Sequence, residues 1–184
     1  MKWMIASDLH GSAYYTKKLL EAYRLEQADR LLLLGDLLYH GPRNDLPRDY
    51  APKQVIELLN QHKQDIVAVR GNCEAEVDQM VLEFPVMADF CLFSGRKHML
   101  LATHGHIYNV DNVPQLRSSD ILLHGHTHIP ALEQHAHCIY MNPGSMTLPK
   151  NGSHHGYMIW EDDCFYWKDA ESGEEVQRFA YPDF

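Results

Sequence analysis

Residues 31 to 36 read LLLLGD. Four consecutive leucines stopped by Gly-Asp leave a chain few choices. A run this short that is apolar on both strand faces is the pattern of a strand covered on both sides, as in a parallel sheet between two layers. Two neighbouring segments agree: residues 3–7, WMIAS, and residues 65–72, DIVAVRGN. Between these runs lie two stretches with helical spacing. Over residues 12–25, Tyr15, Leu19 and Tyr23 recur every four positions with Leu20 beside them. Over residues 52–62, Pro52 opens a stretch carrying Val55, Leu58 and Leu59, and proline suits the first turn of a helix. The first 72 residues therefore predict β-α-β-α-β, with right-handed crossovers, a mostly parallel sheet and helices outside it.

The texture changes after a short helical stretch near residues 74–82. CLF, HMLLATHGH, DILLHGHTH, CIYMNPGS, GYMIW and CFYWK read as short strands, with one further short helix expected around residues 112–117. The second half thus predicts a β-rich sheet packed on the first. With no linker or internal repeat, the chain reads as one α/β domain over residues 1–184.

Each expected strand runs into polar residues. The first ends in Ser7-Asp8-Leu9-His10-Gly11, the second in Gly35-Asp36, the third in Arg70-Gly71-Asn72. Two later ones end in Thr103-His104-Gly105-His106 and His124-Gly125-His126-Thr127-His128. Open α/β sheets bind ligands at the carboxyl ends of their strands. Five segments would therefore bring Asp8, His10, Asp36, Asn72, His104, His126 and His128 to one edge. These side chains offer imidazole nitrogen, carboxylate oxygen and one amide oxygen, with no thiolate. Such a set suits Mn²⁺, Fe²⁺ or Zn²⁺ and argues against Ca²⁺, Cu⁺ or an iron–sulfur cluster. Seven ligands exceed what one tetrahedral ion takes. Two ions sharing a carboxylate fit, and paired ions are a usual device for hydrolysing phosphate esters. Asp36, on a central strand, is the natural shared group. Taken one at a time the residues have plainer uses: Asp8 and Asp36 as helix N-caps, Asn72 as a turn residue, His104 as a hydrogen-bonded core histidine.

Composition narrows the class further. The formal net charge is −9, and no block of Lys and Arg is present, so tight binding of long nucleic acid is not expected. Two divalent ions would raise that charge from −9 to −5 by simple addition. No apolar run approaches the ~18 residues of a membrane helix. The N-terminal MKWMIASDLHG is too short in its apolar part for a signal peptide. A cytoplasmic protein is expected, with Cys73, Cys91, Cys138 and Cys164 reduced and no CxxC pair among them.

The ordered set Asp8-x-His10, Gly35-Asp36, Gly71-Asn72, His104 and Gly125-His126-x-His128 resembles the calcineurin-like metallophosphoesterase family. GDLLYHGPRN, RGNCEAEVDQM, THGH, GHTH and NPGS resemble its small bacterial branch, the YfcE-like phosphodiesterases. The motifs span residues 8 to about 149. The resemblance implies a four-layer αββα sandwich of two facing mixed sheets. It implies a first metal held by Asp8, His10 and His128, a second held by Asn72, His104 and His126, and Asp36 bridging them. Asp36, Asn72 and His104 would be the catalytic residues, and a metal-bridging hydroxide the nucleophile. Mn²⁺ is the expected ion, with Zn²⁺, Fe²⁺, Co²⁺ or Ni²⁺ as alternatives. The substrate would be a small phosphodiester, hydrolysed without a covalent enzyme intermediate. The alternatives are a phosphomonoesterase and a non-catalytic scaffold of the same fold. A homo-oligomer through exposed sheet edges is compatible with the β-rich half.

Four further residues are candidate substrate contacts. Arg43 could grip a phosphate or leaving group, or be a solvated loop residue. His106 and His124 could touch substrate, support a ligand, or be plain loop residues. Cys73 stands where many of these enzymes carry a histidine that contacts the phosphate and protonates the leaving group. A thiol is a poor proton donor for that purpose, so the other reading is a small inert space-filler. Glu74 and Asp78 read as a solvated helix face, His154 and His155 as a flexible loop without a role. Tyr14, Trp160 and Trp167 read as packing residues.

Overall fold

The computed structural model describes residues 1–181. The chain opens with β1 (Lys2–Ala6), α1 (Ala13–Glu26), β2 (Arg30–Leu33), α2 (Pro52–Asn60) and β3 (Ile66–Ala68). Three parallel strands, with β1 pairing β2 and β2 pairing β3, follow the expected β-α-β-α-β order. A short α3 (Glu76–Val81) leads to β4 (Phe90–Ser94), β5 (Met99–Thr103), β6 (Ile121–His124), β7 (Pro130–Gln134) and β8 (Ile139–Pro143). The chain then returns through β9 (Gly156–Glu161), β10 (Cys164–Asp169) and β11 (Glu175–Ala180). Two mixed sheets result, ordered β11-β10-β9-β1-β2-β3 and β4-β5-β6-β8-β7.

The four leucines explain the layering. Leu31, Leu32, Leu33 and Leu34 are all fully buried. Leu31 and Leu33 join Leu19 of α1 and Val55 and Leu59 of α2 on one side. Leu32 and Leu34 face Leu100, Ile121, Leu123 and Met141 of the second sheet on the other. Strand alternation thus sends one leucine pair into each of two cores. Ser12 starts α1, its hydroxyl accepting the Tyr15 N–H at 3.2 Å. Trp167 is buried between the sheets and Trp160 and Tyr14 pack against the two cores, as expected of packing residues.

Two expectations need correction. No helix forms over residues 112–117. Asn109 instead accepts the N–H groups of Asp111 and Asn112 through its side-chain oxygen, an Asx-type turn, and Pro114 denies the next turn a donor. This irregular segment still covers the outer face of the second sheet, with Val110, Val113 and Leu116 packed on Leu101, Leu122 and Cys138. The edge strands β7, partly buried, and β11, largely exposed, carried too little apolar pattern to be read as strands.

A candidate dinuclear metal centre

The parallel strands β1, β2, β3, β5 and β6 all end at one edge, and seven polar side chains gather there. Their backbone is unusual. Asp8 (φ 60°), His10 (φ 47°), Asp36 (φ 56°), His126 (φ 66°) and His128 (φ 63°) all adopt the left-handed region. Each such residue costs about 1–3 kcal/mol unless its surroundings enforce it. Glycine beside them makes room: a Cβ at Gly71 would sit 2.2 Å from Asp36 Oδ1, and one at Gly125 1.9 Å from Ser7 Oγ.

The imidazoles are oriented from behind. Nδ1 of His10 donates to the Tyr39 carbonyl at 2.8 Å, His128 to Leu148 at 2.7 Å, and His104 to Leu34 at 2.6 Å. A carbonyl only accepts, so each Nδ1 carries a proton and each ring turns its Nε2 inward. The inward atoms then meet each other. His10 Nε2 lies 3.2 Å from His128 Nε2, with Asp8 Oδ1 3.3 Å from the latter. His104 Nε2 lies 3.1 Å from Asn72 Oδ1 and 3.2 Å from His126 Nδ1. Asp36 divides its oxygens between the clusters, Oδ1 at 3.4 Å from His104 Nε2 and Oδ2 at 3.7 Å from His10 Nε2. Asp8 Oδ1 is buried with no hydrogen-bond donor. Acceptors facing acceptors in a buried site call for cations. These Asp and His groups could hold divalent metal ions.

The electrostatics agree. Burial would favour neutral carboxyls, but His128, His104 and His10 outweigh it and hold Asp8 well below the usual carboxylate range. Burial opposes a charged His104, yet its hydrogen bond to Asp36 and the charges of Asp8 and Asp36 lift its pKa to about 9. A proton thus occupies in part the place of a cation, and metal binding would release it. Burial, then the charge of His104, lowers His126 to about 4.

Glu74 overturns its reading as part of a solvated helix face. It is buried, and its carboxylate accepts the N–H groups of Asp36 (2.8 Å), Gly71 (2.5 Å) and Leu37 (2.7 Å). Burial, then the Asp36 charge, raises its pKa to about 7 against those three donors. Glu74 therefore ties the Gly35-Asp36 and Gly71-Asn72 turns together. Asp78 is the helix-end residue expected of a polar face, accepting the Ala75 N–H at 2.8 Å. Asn142 and Ser145 of NPGS are a second set of buried supports. Asn142 donates to the Gly125 carbonyl at 2.9 Å and Ser145 to the Asp8 carbonyl at 3.1 Å. No spacing signal marks such residues, because their partners are backbone groups far away in sequence.

A cavity of about 450 Å³ opens above the cluster, lined by His10, Asp36, Asn72, His126 and His128 together with Arg43, Cys73, Thr127 and Lys150. Arg43 and Cys73 therefore face the reaction space. Burial, then Asp36, pushes the Cys73 thiol up and keeps it protonated. His106 and His124 do not line the cavity. His124 stacks on Tyr140, ring centroids 4.4 Å apart, and donates to the Gly125 carbonyl at 2.9 Å. His155, expected to be a loop residue without a role, stacks on Tyr15 at 4.1 Å and tethers its loop to α1.

Burial lowers the pKa of His124 from 6.5 to about 4. The unfolded chain takes up this proton as pH falls below 6.5, while the folded chain resists it until about pH 4. Stability from this group is therefore complete above pH 6.5 and lost as pH falls toward 4. The expected loss is about 3 kcal/mol. Urea unfolding of metal-free protein at both ends of that range should show it, and His124→Gln should flatten the slope.

Comparison with known proteins agrees with this geometry. The model of the calcineurin-like phosphoesterase superfamily domain matches residues 1–163. Phosphodiesterase YfcE of Escherichia coli K12 is 45% identical over 163 residues, 89% of each chain. The solved structure of the E. coli phosphoesterase Yfce superposes with a TM-score of 0.93 at 42% identity, covering 98% of this chain and 99% of that one. A zinc complex of Vps29 from Entamoeba histolytica shares the fold, with a TM-score of 0.59 at 16% identity over 98% and 99% of the two chains. With its strand-end motifs, its two mixed sheets and these matches, the chain belongs to the calcineurin-like phosphoesterase superfamily.

Proposed function

We propose that this protein is a metal-dependent phosphodiesterase acting on a small-molecule substrate at a dinuclear centre. The observation that carries the reading is the division of the Asp36 oxygens between two clusters of inward-facing imidazoles. In this reading Asp8, His10 and His128 hold one ion, Asn72, His104 and His126 hold the other, and Asp36 holds both. Mn²⁺ is the ion we favour, because the donors are nitrogen and oxygen only. When bound, two such ions lower the pKa of water and neutralise charge gathering on the phosphoryl oxygens.

The chain's own residues supply the rest. Backbone carbonyls fix the three imidazoles, so the ligands do not reorganise when charge develops. Asn72, exposed at the cavity rim, sets its amide oxygen against His104. Arg43 can reach a phosphoryl or leaving-group oxygen from the cavity wall. The 45% identical relative is named a phosphodiesterase, which favours a diester over a monoester. All seven candidate ligand residues are present in the sequence, which favours an enzyme over a scaffold. One domain over residues 1–184 in the cytoplasm completes the reading; no helix among the described residues is long and apolar enough to cross a membrane.

The test is hydrolysis of bis-p-nitrophenyl phosphate by metal-stripped protein titrated with Mn²⁺. Saturable, metal-dependent release of nitrophenol is expected. Folded protein that turns over no diester with any divalent ion would return the scaffold reading to first place.

Cys73 makes a separate prediction. A protonated thiol donates poorly to a departing alkoxide, so diesters with good aryl leaving groups should react best. Cys73→His should raise kcat on alkyl diesters by about 10²-fold, the low end of general-acid catalysis, and change aryl diesters little. Equal effects on both across a leaving-group pKa series would rule out a role in protonation.

A further inference from the structure

Two cations at the cavity are left over by the chemistry of the metal centre. Arg43 and Lys150 both line it, and both are exposed. Four other lysines are paired with carboxylates: Lys2 with Glu161, Lys18 with Glu171, Lys63 with Glu83 and Lys168 with Glu26. Among the described residues neither Arg43 nor Lys150 is paired with a carboxylate. In a chain of net charge −9, two unpaired cations on one cavity are a local reversal of sign. Their backbones are held although their side chains are free. Lys150 N–H donates to the carbonyl of the ligand His128 at 3.1 Å, and its own carbonyl accepts Ser153 N–H at 3.0 Å. Arg43 sits in a turn closed by Asn44, whose side chain donates to the His40 carbonyl at 2.8 Å.

The rest of the wall says what the ligand is not. Among the described residues no Phe, Tyr or Trp lines the cavity, so a nucleobase would find no six-membered or indole ring to stack on. The space, about 450 Å³, is that of a small-molecule site rather than of one phosphate group. A phosphodiester brings a single negative charge, and the metal centre meets it. Two further cations call for further negative charge.

We infer that the substrate is a phosphodiester whose second arm ends in an anionic group, a phosphate or carboxylate, held by Arg43 and Lys150. This rests on the phosphodiesterase reading and adds the substrate class to it. Arg43 suits two oxygens of the terminal group through its fork, while Lys150 acts as a point charge.

The experiment uses two phosphinates of equal arm length, in which P–C bonds replace both ester bridges of the diester, one ending in a hydroxyl and one in a phosphate. Binding to the Mn²⁺-loaded protein is measured by calorimetry, beside turnover of bis-p-nitrophenyl phosphate. The phosphate-ended arm should bind roughly tenfold or more tighter, the scale of one or two charge-assisted hydrogen bonds. That ratio should collapse toward one in Arg43→Gln and Lys150→Gln, and invert in Lys150→Glu. Equal affinities in the wild-type protein would overturn the inference while Mn²⁺-dependent turnover kept the phosphodiesterase reading intact. A ratio that survives both substitutions would overturn it too, placing the anion elsewhere. An anion preference that collapses in the variants, in protein that turns over no diester, would support the ligand class and sink the enzymatic reading instead.

Discussion

Asp36→Asn should leave a folded protein whose Mn²⁺-dependent turnover falls by at least about 10³, the cost of deleting a preorganised stabilising group from a buried site. The substitution keeps shape and removes charge. Asp36 is 2% exposed, and its Oδ1 already accepts the Cys73 N–H at 2.9 Å, a bond an amide oxygen can keep. What an amide cannot do is offer an anionic oxygen to both clusters, since one of its two ends is a donor. Metal content after dialysis should fall from two ions toward one or none, which separates loss of the centre from loss of a substrate contact. Full metal occupancy with wild-type kcat/KM would remove Asp36 from the bridging position and with it the dinuclear reading.

Glu74→Ala should have the largest effect on stability. Three buried N–H groups, those of Asp36, Leu37 and Gly71, lose their acceptor at once. Stranded buried donors cost about 1–3 kcal/mol each. Allowing for relaxation, a loss of about 3–5 kcal/mol is expected, the scale seen when one member of a buried charged set is removed. At about 2–4 °C per kcal/mol for a chain of this size, Tm should drop by ~10 °C. Activity should fall as well, because Asp36 sits at φ 56° and Glu74 braces the turn that enforces it. Glu74→Gln keeps one acceptor oxygen and should fall between the two proteins. A melting temperature within about 2 °C of wild type in Glu74→Ala would show that water replaces the carboxylate without cost.

These two residues mark where sequence reasoning succeeds and where it stops. Asp36 was legible because it ends a strand of four leucines, and a run apolar on both faces can only be a doubly covered strand. Asp8, His10, Asn72, His104, His126 and His128 were legible for the same reason: each lies at the carboxyl end of a short apolar run, and a parallel sheet brings such ends together. The layering of Leu31 and Leu33 against helices, and Leu32 and Leu34 against the second sheet, follows from period two alone. Glu74 was not legible. An acidic residue two positions before a short exposed helix looks solvated until the Gly35-Asp36 turn is known to lie against it. For His124 the choice between substrate contact, ligand support and plain loop residue stayed open for a related cause: the sequence says nothing about which side Tyr140 occupies. Lys150 drew no notice because it stands beyond the motifs, brought to the cavity by its hydrogen bond to the His128 carbonyl.

The sequence by itself determined the order of elements, the polar edge where the strands end and the chemical character of its donors, since these depend on local periodicity and on which residue types end each strand. The tertiary structure alone decided which lone pairs face one another, which buried carboxylate braces the turns and which cations reach the cavity. Those are contacts between residues tens of positions apart, and their energies exist only once the two sheets have closed on each other.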